Sequence, residues 1–366
     1  MKIPLRAASA AMLLMLTTLP GWLFAASPPP GGAHDYRDKN FDYFVVGDPA
    51  APRAAQPYFT LALMGGGGSV ESAFIALARG AGQGHLVILR AVSDDSFDPD
   101  DGSYGRSFRA EWGPVASAET IVFHNRKASY DPRVLAILAH ADGIFLAGGD
   151  QANYIRYWKG TPVQRALNEH VRANRPLGGS SAGLAILGRY SYTALDGGSL
   201  ESKLALPDPF SGAVTLESDF LQLPFLGDVI TDSHFSQRSR LGRLIVFVAR
   251  LDAQRGDLKI LGVGIDERSA LLIDGRGIGR LAAGSAGSAW LVRATRTPQV
   301  LRAGTPLSAD GVRVTRIGPD SNIEFRNGRV SQPADETSAV IRVGVPAADP
   351  LLDPRILRTI VPPDEP

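Results

Sequence analysis

The sequence predicts an α/β fold of three layers, a mostly parallel sheet flanked by helices, with an antiparallel β extension toward the C-terminal end. Two observations predict it. Short, near-continuous apolar runs at residues 59–64, 85–91, 120–124 and 143–146 alternate with segments of helical periodicity at 70–79, 107–117 and 132–140. Strands alternating with helices give right-handed parallel crossovers, and strands without in/out alternation are covered on both faces. From Gly275 onward the segments are short and β-rich (289–292, 311–317, 339–343), separated by Gly, Pro, Asp and Asn. That is the pattern of antiparallel strands, expected to complete the same sheet.

Taken in order, the chain opens with Lys2 and Arg6, an apolar run over 7–24 broken by Thr17, Thr18 and Pro20, and then the small residues Ala25, Ala26 and Ser27. Residues 1–26 read as a signal peptide cut near Ala25 or Ala26, which implies a secreted or periplasmic protein. The rival reading, an uncleaved membrane anchor, requires a span at the short limit of length that ends in small residues. Residues 27–57, rich in Pro, Gly, Ala and Asp, read as a linker whose apolar patch at 43–46 lays a single edge strand on the domain. The domain covers 58–345, and a Pro-rich tail covers 346–366.

The first strand runs into Gly65–Gly68, which has neither dinucleotide nor P-loop spacing and reads as a turn that lets backbone approach a site. The strand at 143–146 ends in Ala147-Gly148-Gly149-Asp150-Gln151, followed by a helical pattern with Tyr154, Tyr157 and Trp158. An acidic loop at 94–101 and a loop-rich stretch at 196–224 interrupt the alternation. A strand at 228–231 then ends in Asp232-Ser233-His234-Phe235. Ser236 reads as the N-cap of a helix in which Leu241, Leu244, Ile245, Val248 and Leu251 recur at helical spacing and Gly256 marks the end. A strand at 260–265 closes in Asp266-Glu267-Arg268, with 270–273 beyond.

Composition excludes several classes. With 366 residues and 44% hydrophobic content, the chain can bury a full core without disulfide or metal support. A net charge of +1 with no dense basic run argues against nucleic-acid binding and a polybasic membrane anchor. There is no cysteine, which removes disulfides, zinc thiolates and thiol nucleophiles. No metal or cofactor is expected.

The chemistry concentrates at residues 176–189. Gly179 to Gly183 fits G-x-S-x-G between an apolar strand pattern and a helical one, the setting of a nucleophile elbow with Ser181 at its centre. A plain Gly/Ser connecting turn is the alternative. The Gly149 loop and the elbow face each other if their strands pair, the usual outcome for consecutive units, and the N–H groups of Gly149 and Ala182 then form a candidate oxyanion hole. Among six histidines, His234 closes a strand and precedes a helix; His124 also ends a strand and is the runner-up. Asp232, Asp266 and Glu267 all sit at strand ends as candidate orienting acids, and strand alternation lets only one of the last two face the histidine. Arg238, Arg240 and Arg243 oppose the helix dipole, and read either as an anion site or as a solvated surface.

The 147–151 loop, Gly-Ser-Ser181-Ala-Gly, Asp-Ser-His234-Phe-Ser-Gln-Arg, Arg-Leu-Gly-Arg243-Leu and Gly-Ile-Asp-Glu267 occur together and in order. In this the chain resembles the cyanophycinases, serine peptidases whose family also includes aspartyl dipeptidase and whose fold is like that of class I glutamine amidotransferases. The resemblance spans residues 59–273. It implies Ser181 as nucleophile, His234 as base and Glu267 as third triad member, with Gly149 and Ala182 as the oxyanion hole. Gln151, Asp232, Arg238, Arg240 and Arg243 would match the substrate pocket. One departure is Ser233, where the family pattern has glutamine; it bears on substrate choice. The implied substrate is a poly-aspartate carrying arginine on its β-carboxyls, cut to β-Asp-Arg dipeptides. Short aspartyl or β-aspartyl peptides, or a non-catalytic binding role on the same fold, are the other expectations, and a homodimer stays open. Amidotransferase chemistry is disfavoured, since it needs a cysteine.

Overall fold

The computed structural model describes residues 35–92 and 102–342. The segment read as a signal peptide, the acidic loop at 94–101 and the Pro-rich tail lie outside the described residues. Five strands make a parallel array in the order Ser117–Phe123, His85–Ala91, Gly143–Leu146, Leu177–Ser180, Leu61–Met64. Their side chains alternate between two cores, so the sheet is covered on both faces. Leu61, Leu63, Val87, Leu89, Ile144 and Leu146 face the helices Pro132–His140, Gln151–Trp158 and Pro162–Arg172. Ala62, Met64, Leu86, Ile88 and Phe145 face Glu71–Gly80 and Ser103–Ala110. On that second face Phe74 stacks on Trp112 at 3.9 Å and meets Phe145 edge-on at 5.1 Å. Burying such a side chain stabilises by about 1.5–3 kcal/mol.

Several local expectations change. The segment read as a linker carries the strands Tyr36–Arg37 and Phe41–Gly47, and the second pairs antiparallel with Ser117–Phe123 over its whole length. The helix expected at 107–117 lies at Ser103–Ala110, because Gly113 and Pro114 follow it and Ser117 already opens the next strand. Ser236 does not cap a helix. Its hydroxyl and N–H both bond the Asp266 carboxylate, which holds residues 235–240 in turns, and the helix begins at Leu241 and ends at Gly256 with φ 75°.

The larger difference concerns the C-terminal strands, which do not complete one sheet. Ala270–Ile273, Ile278–Leu281, Asn322–Glu324 and Arg329–Ser331 extend the first sheet beyond Leu61–Met64. Ala289–Ala294, Ala309–Ile317 and Asp335–Ile341 extend a second, seven-stranded sheet that also holds Leu261–Ile265, Val229–Asp232, Tyr190–Tyr192 and Leu216–Ser218. Val263, Ile265 and Leu291 of this second sheet share the core of the first sheet. Ile230, Trp290 and Val292 turn the other way, against Leu244 and Val248 of the helix Leu241–Arg255. The chain crosses between the sheets at residues 266–269, and this crossing makes the site.

Candidate active site

Ser181 follows the strand Leu177–Ser180 and precedes the one-turn helix Ala182–Ala185, with φ 55° and ψ −115°. That conformation costs a non-glycine residue on the order of 1–3 kcal/mol and persists where the surroundings over-determine it. Here the Ser181 N–H is held by the Met64 carbonyl at 3.1 Å. The turn lifts the hydroxyl toward His234, whose Nε2 lies 2.7 Å from Ser181 Oγ. His234 belongs to the other sheet, just past Val229–Asp232, and its N–H donates to the Gly65 carbonyl at 2.9 Å. Its Nδ1 is 2.6 Å from Glu267 Oε1. The Glu267 N–H in turn donates to Gln237 Oε1 at 2.9 Å.

The tautomer follows from this geometry. An ionised carboxylate only accepts, so Nδ1 carries the proton toward Glu267 and Nε2 presents its lone pair to the serine hydroxyl. Burial lowers the pKa of His234 below its ordinary value; the nearby Arg238 and Arg240 add to this, while the Glu267 bond opposes it. The shift favours the neutral imidazole, the form that can accept a proton. Gly66 and Gly67, both at positive φ, form the floor of the arrangement. A Cβ on Gly66 would lie 2.7 Å from the His234 ring, and one on Gly67 would lie 2.6 Å from the Glu267 carboxyl. The glycine run is thus a close approach to the site, as its sequence suggests.

Of the alternatives, Asp266 faces away. Its carboxylate takes the Ser236 N–H at 3.0 Å, the Ser288 N–H at 2.9 Å and the Trp290 indole N–H at 3.0 Å, tying the strand end to its neighbours. His124 sits 3.3 Å from Asp42 and bonds the Asn40 carbonyl, away from the serine. Ala182 is the first residue of the short helix and is buried, while Gly149 is exposed at φ 150°.

The expected substrate residues divide. Gln151 is half-buried at the start of its helix and Arg238 is exposed. Asp232 and Arg243, 1% and 2% exposed, are paired with each other: Arg243 Nε donates to Asp232 Oδ2 at 2.8 Å, Nη2 bonds Oδ1, and Nη1 donates to the Leu200 carbonyl at 2.8 Å. Arg240 is buried as well, donating to the Ser233 carbonyl at 2.8 Å and to Ser199 Oγ at 2.9 Å. The expectation that Asp232 offers its carboxylate to a guanidinium of the substrate is corrected here, because Arg243 already occupies both oxygens. Breaking such a buried pair by removing one partner costs about 3–5 kcal/mol. Ser233, the departure from the family pattern, is buried under Arg240.

Beside the serine opens a cleft of about 630 Å³, lined by Gly67, Glu71, Ser107, Glu111, Trp112 and Gly148 together with Ser181 and His234. Sequence reasoning missed Glu71 and Glu111. The one signal available was that Glu71 opens the helix directly after the glycine run. Among the described residues no group of three or more acidic or histidine side chains could hold a metal ion, and no helix is long and apolar enough to cross a membrane.

A family model described as "Peptidase family S51" matches residues 96–281, half of the chain and the span that carries Ser181, His234 and Glu267. The chain belongs to peptidase family S51. Within curated proteins it is similar to the cyanophycinase of Trichormus variabilis, 31% identical over 197 residues covering 53% of this chain and 59% of that protein. It is also similar to the cyanophycinase of Synechococcus elongatus, 32% identical over 194 residues covering 52% and 54%. The chain thus spans less than two thirds of the length of these relatives. Among solved structures, a peptidase from an acI-B1 Actinobacterium aligns over 73% of this chain and 97% of its own, with a TM-score of 0.48 and 17% identity. The S51 match begins at residue 96, so the strand Leu61–Met64 and the glycine run, which hold the elbow and His234, lie before it.

Proposed function

We propose that this S51 chain is an exported serine peptidase of cyanophycinase type. Ser181 is its nucleophile, His234 its general base and Glu267 the acid that orients the imidazole; Gly149 and Ala182 supply the oxyanion hole. The observation that carries the reading is the continuous Ser181–His234–Glu267 hydrogen-bonded chain, 2.7 Å and 2.6 Å, at a strained elbow that opens on a cleft. Ser181 Oγ attacks a backbone carbonyl between two aspartates while His234 Nε2 takes its proton. The oxyanion collapses, the C–N bond breaks, and His234 returns the proton to the leaving amine. Water then repeats the sequence on the acyl-enzyme and restores Ser181. The β-Asp-Arg linkage is left intact in the product.

For the substrate, Glu71 and Glu111 bring two carboxylates to the cleft, suited to a guanidinium; Arg238 and Gln151, which lie outside the cleft lining, are assigned to free carboxylates from the family resemblance alone. Ser233 in place of the family's glutamine favours a second reading, an aspartyl or β-aspartyl peptidase acting on short peptides. Incubating the chain without residues 1–26 with insoluble cyanophycin, followed by product analysis, separates the two. Release of β-Asp-Arg by the wild type and not by Ser181→Ala supports the first reading. Inert polymer with rapid hydrolysis of aspartyl dipeptides moves the assignment to the second. Undiminished turnover in Ser181→Ala overturns the triad itself.

A further inference from the structure

The helix Gln151–Trp158 begins where the Gly148-Gly149 loop ends, and its fourth residue points back beneath that loop. Tyr154 is fully buried. Its ring stacks on Trp158 at 4.5 Å and 5°, and Trp158 meets Phe123 edge-on at 5.3 Å, so the hydroxyl is delivered from a ring with nowhere to turn. Burial also raises its pKa well above the ordinary tyrosine value, which keeps the hydroxyl protonated and able to donate. Tyr154 Oη lies 2.7 Å from the Ala147 carbonyl and 3.1 Å from the Gly148 carbonyl.

These two carbonyls belong to the peptide units whose N–H groups are those of Gly148 and Gly149. In a trans peptide the C=O and N–H point in opposite directions. The one hydroxyl proton, donated chiefly to Ala147 and shared with Gly148, keeps both carbonyls on the tyrosine side and so turns both N–H groups to the other side, toward the serine. A Cβ placed on Gly148 would be 3.5 Å from Ser181 Cβ, whereas one placed on Gly149 would be 3.3 Å from Tyr154 Oη. The loop is sandwiched between a hydroxyl that fixes its carbonyls and the hydroxyl of the elbow. Flanking glycines tolerate the φ and ψ values of either orientation of the peptide plane between them. If the Gly148–Gly149 unit turned over, a carbonyl lone pair would replace the N–H at the position where negative charge develops.

We propose that Tyr154 is a positioning residue that locks the Gly148–Gly149 peptide with its N–H toward the oxyanion site. This rests on the reading of Ser181 as nucleophile. Removing an oxyanion donor outright lowers kcat by roughly 10²–10³. Unlocking it, so that the productive orientation is only partly populated, lowers kcat by about 10- to 100-fold, with KM unchanged within about twofold.

The test compares Tyr154→Phe with Thr161→Val. Thr161 Oγ1 donates to the Trp158 carbonyl at 2.6 Å in the same helical region, so its loss removes a buried hydrogen bond without touching the loop. Each variant is measured for thermal midpoint, kcat, KM, the pH dependence of kcat/KM, and the second-order rate of labelling by a fluorophosphonate, whose phosphoryl oxygen occupies the oxyanion position. The expected result for Tyr154→Phe is a matched fall in kcat and in labelling rate, with the His234 limb of the pH profile unmoved. Thr161→Val should keep wild-type kcat at a comparable thermal midpoint. Wild-type kcat in Tyr154→Phe, or an equal fall in both variants, overturns the proposal. Activity and labelling that survive Ser181→Ala would instead remove the serine reading on which it rests, a distinct signature.

Discussion

The sharpest consequence of the geometry is carried by a residue that does no chemistry. In Gly66→Ala the new Cβ would lie 2.7 Å from His234 Cε1 and Nε2 and 3.0 Å from Ser181 Cβ. Carbon contacts settle at about 3.5–4.0 Å, so the imidazole must retreat by roughly 1 Å. That is enough to break the 2.7 Å bond to the serine hydroxyl. A displacement of about that size in a reacting group costs on the order of 10² in rate. Placing alanine at φ 89° adds about 1–2 kcal/mol of backbone strain, a loss of a few degrees in thermal midpoint. The variant should therefore fold, and its fluorophosphonate labelling and peptide turnover should fall about 100-fold. Gly68→Ala is the control. Its φ is also positive, at 146°, but its Cβ would meet only the flexible Arg268 side chain, at 3.0 Å, so it should strain the backbone while keeping most activity. Gly66→Ala within threefold of wild type, or Gly68→Ala equally inactive, would refute the idea that the glycine run exists to seat the imidazole.

Two further predictions follow from the same site. Glu267→Gln should lower kcat by about 10³–10⁴ through the wrong histidine tautomer with little change in melting, whereas Asp266→Asn should act chiefly on stability, since its oxygens serve Ser236, Ser288 and Trp290; differential scanning calorimetry and turnover giving the reverse pattern would show that Asp266 orients the base. The rate should rise with pH as His234 loses its proton, with a midpoint below the ordinary 6.5, because burial and then Arg238 and Arg240 disfavour the charged ring. Arg238→Gln removes one of those cations and should move that limb upward; a midpoint that stays put or falls in the pH profile of kcat/KM counts against the assignment.

What the sequence reveals depends on the range over which each feature is decided. The elbow is legible because its glycines, its serine and its flanking patterns lie within fourteen residues, and the alternation of buried strands with helices announces the parallel array. The choice between Asp266 and Glu267 is not local. It is made by Ser236, Ser288 and Trp290, which draw one carboxylate into the strand junction and leave the other to the histidine. The division of the C-terminal strands between two sheets is equally hidden, since a strand's own residues do not name its partner. It matters for the site because Ser181 stands on one sheet while His234 and Glu267 come from the other, so their alignment reports how well the sheets are docked.

The charged residues of the motif teach the converse lesson. Asp232 and Arg243 stand eleven positions apart beside the histidine, and in a linear reading they look like groups reaching for a substrate. Packing gives them another task. Arg243 lies over the Tyr192 ring at 5.0 Å and bonds the Leu200 carbonyl, so the pair fastens the loop at residues 192–200 to the strand that carries His234. A buried pair of this kind favours one arrangement over others, because leaving either charge alone in the interior is so unfavourable. The carboxylates that line the cleft, Glu71 and Glu111, come instead from the first helix and from the residue just after the second, where they read as ordinary surface acids. Charge next to His234 in the chain thus fixes the segment that carries it, while charge far from it in the chain lines the cleft. On the proposed reading, substitutions at Glu71, Glu111 and Ser107 change substrate preference without disturbing the bond between Ser181 and His234.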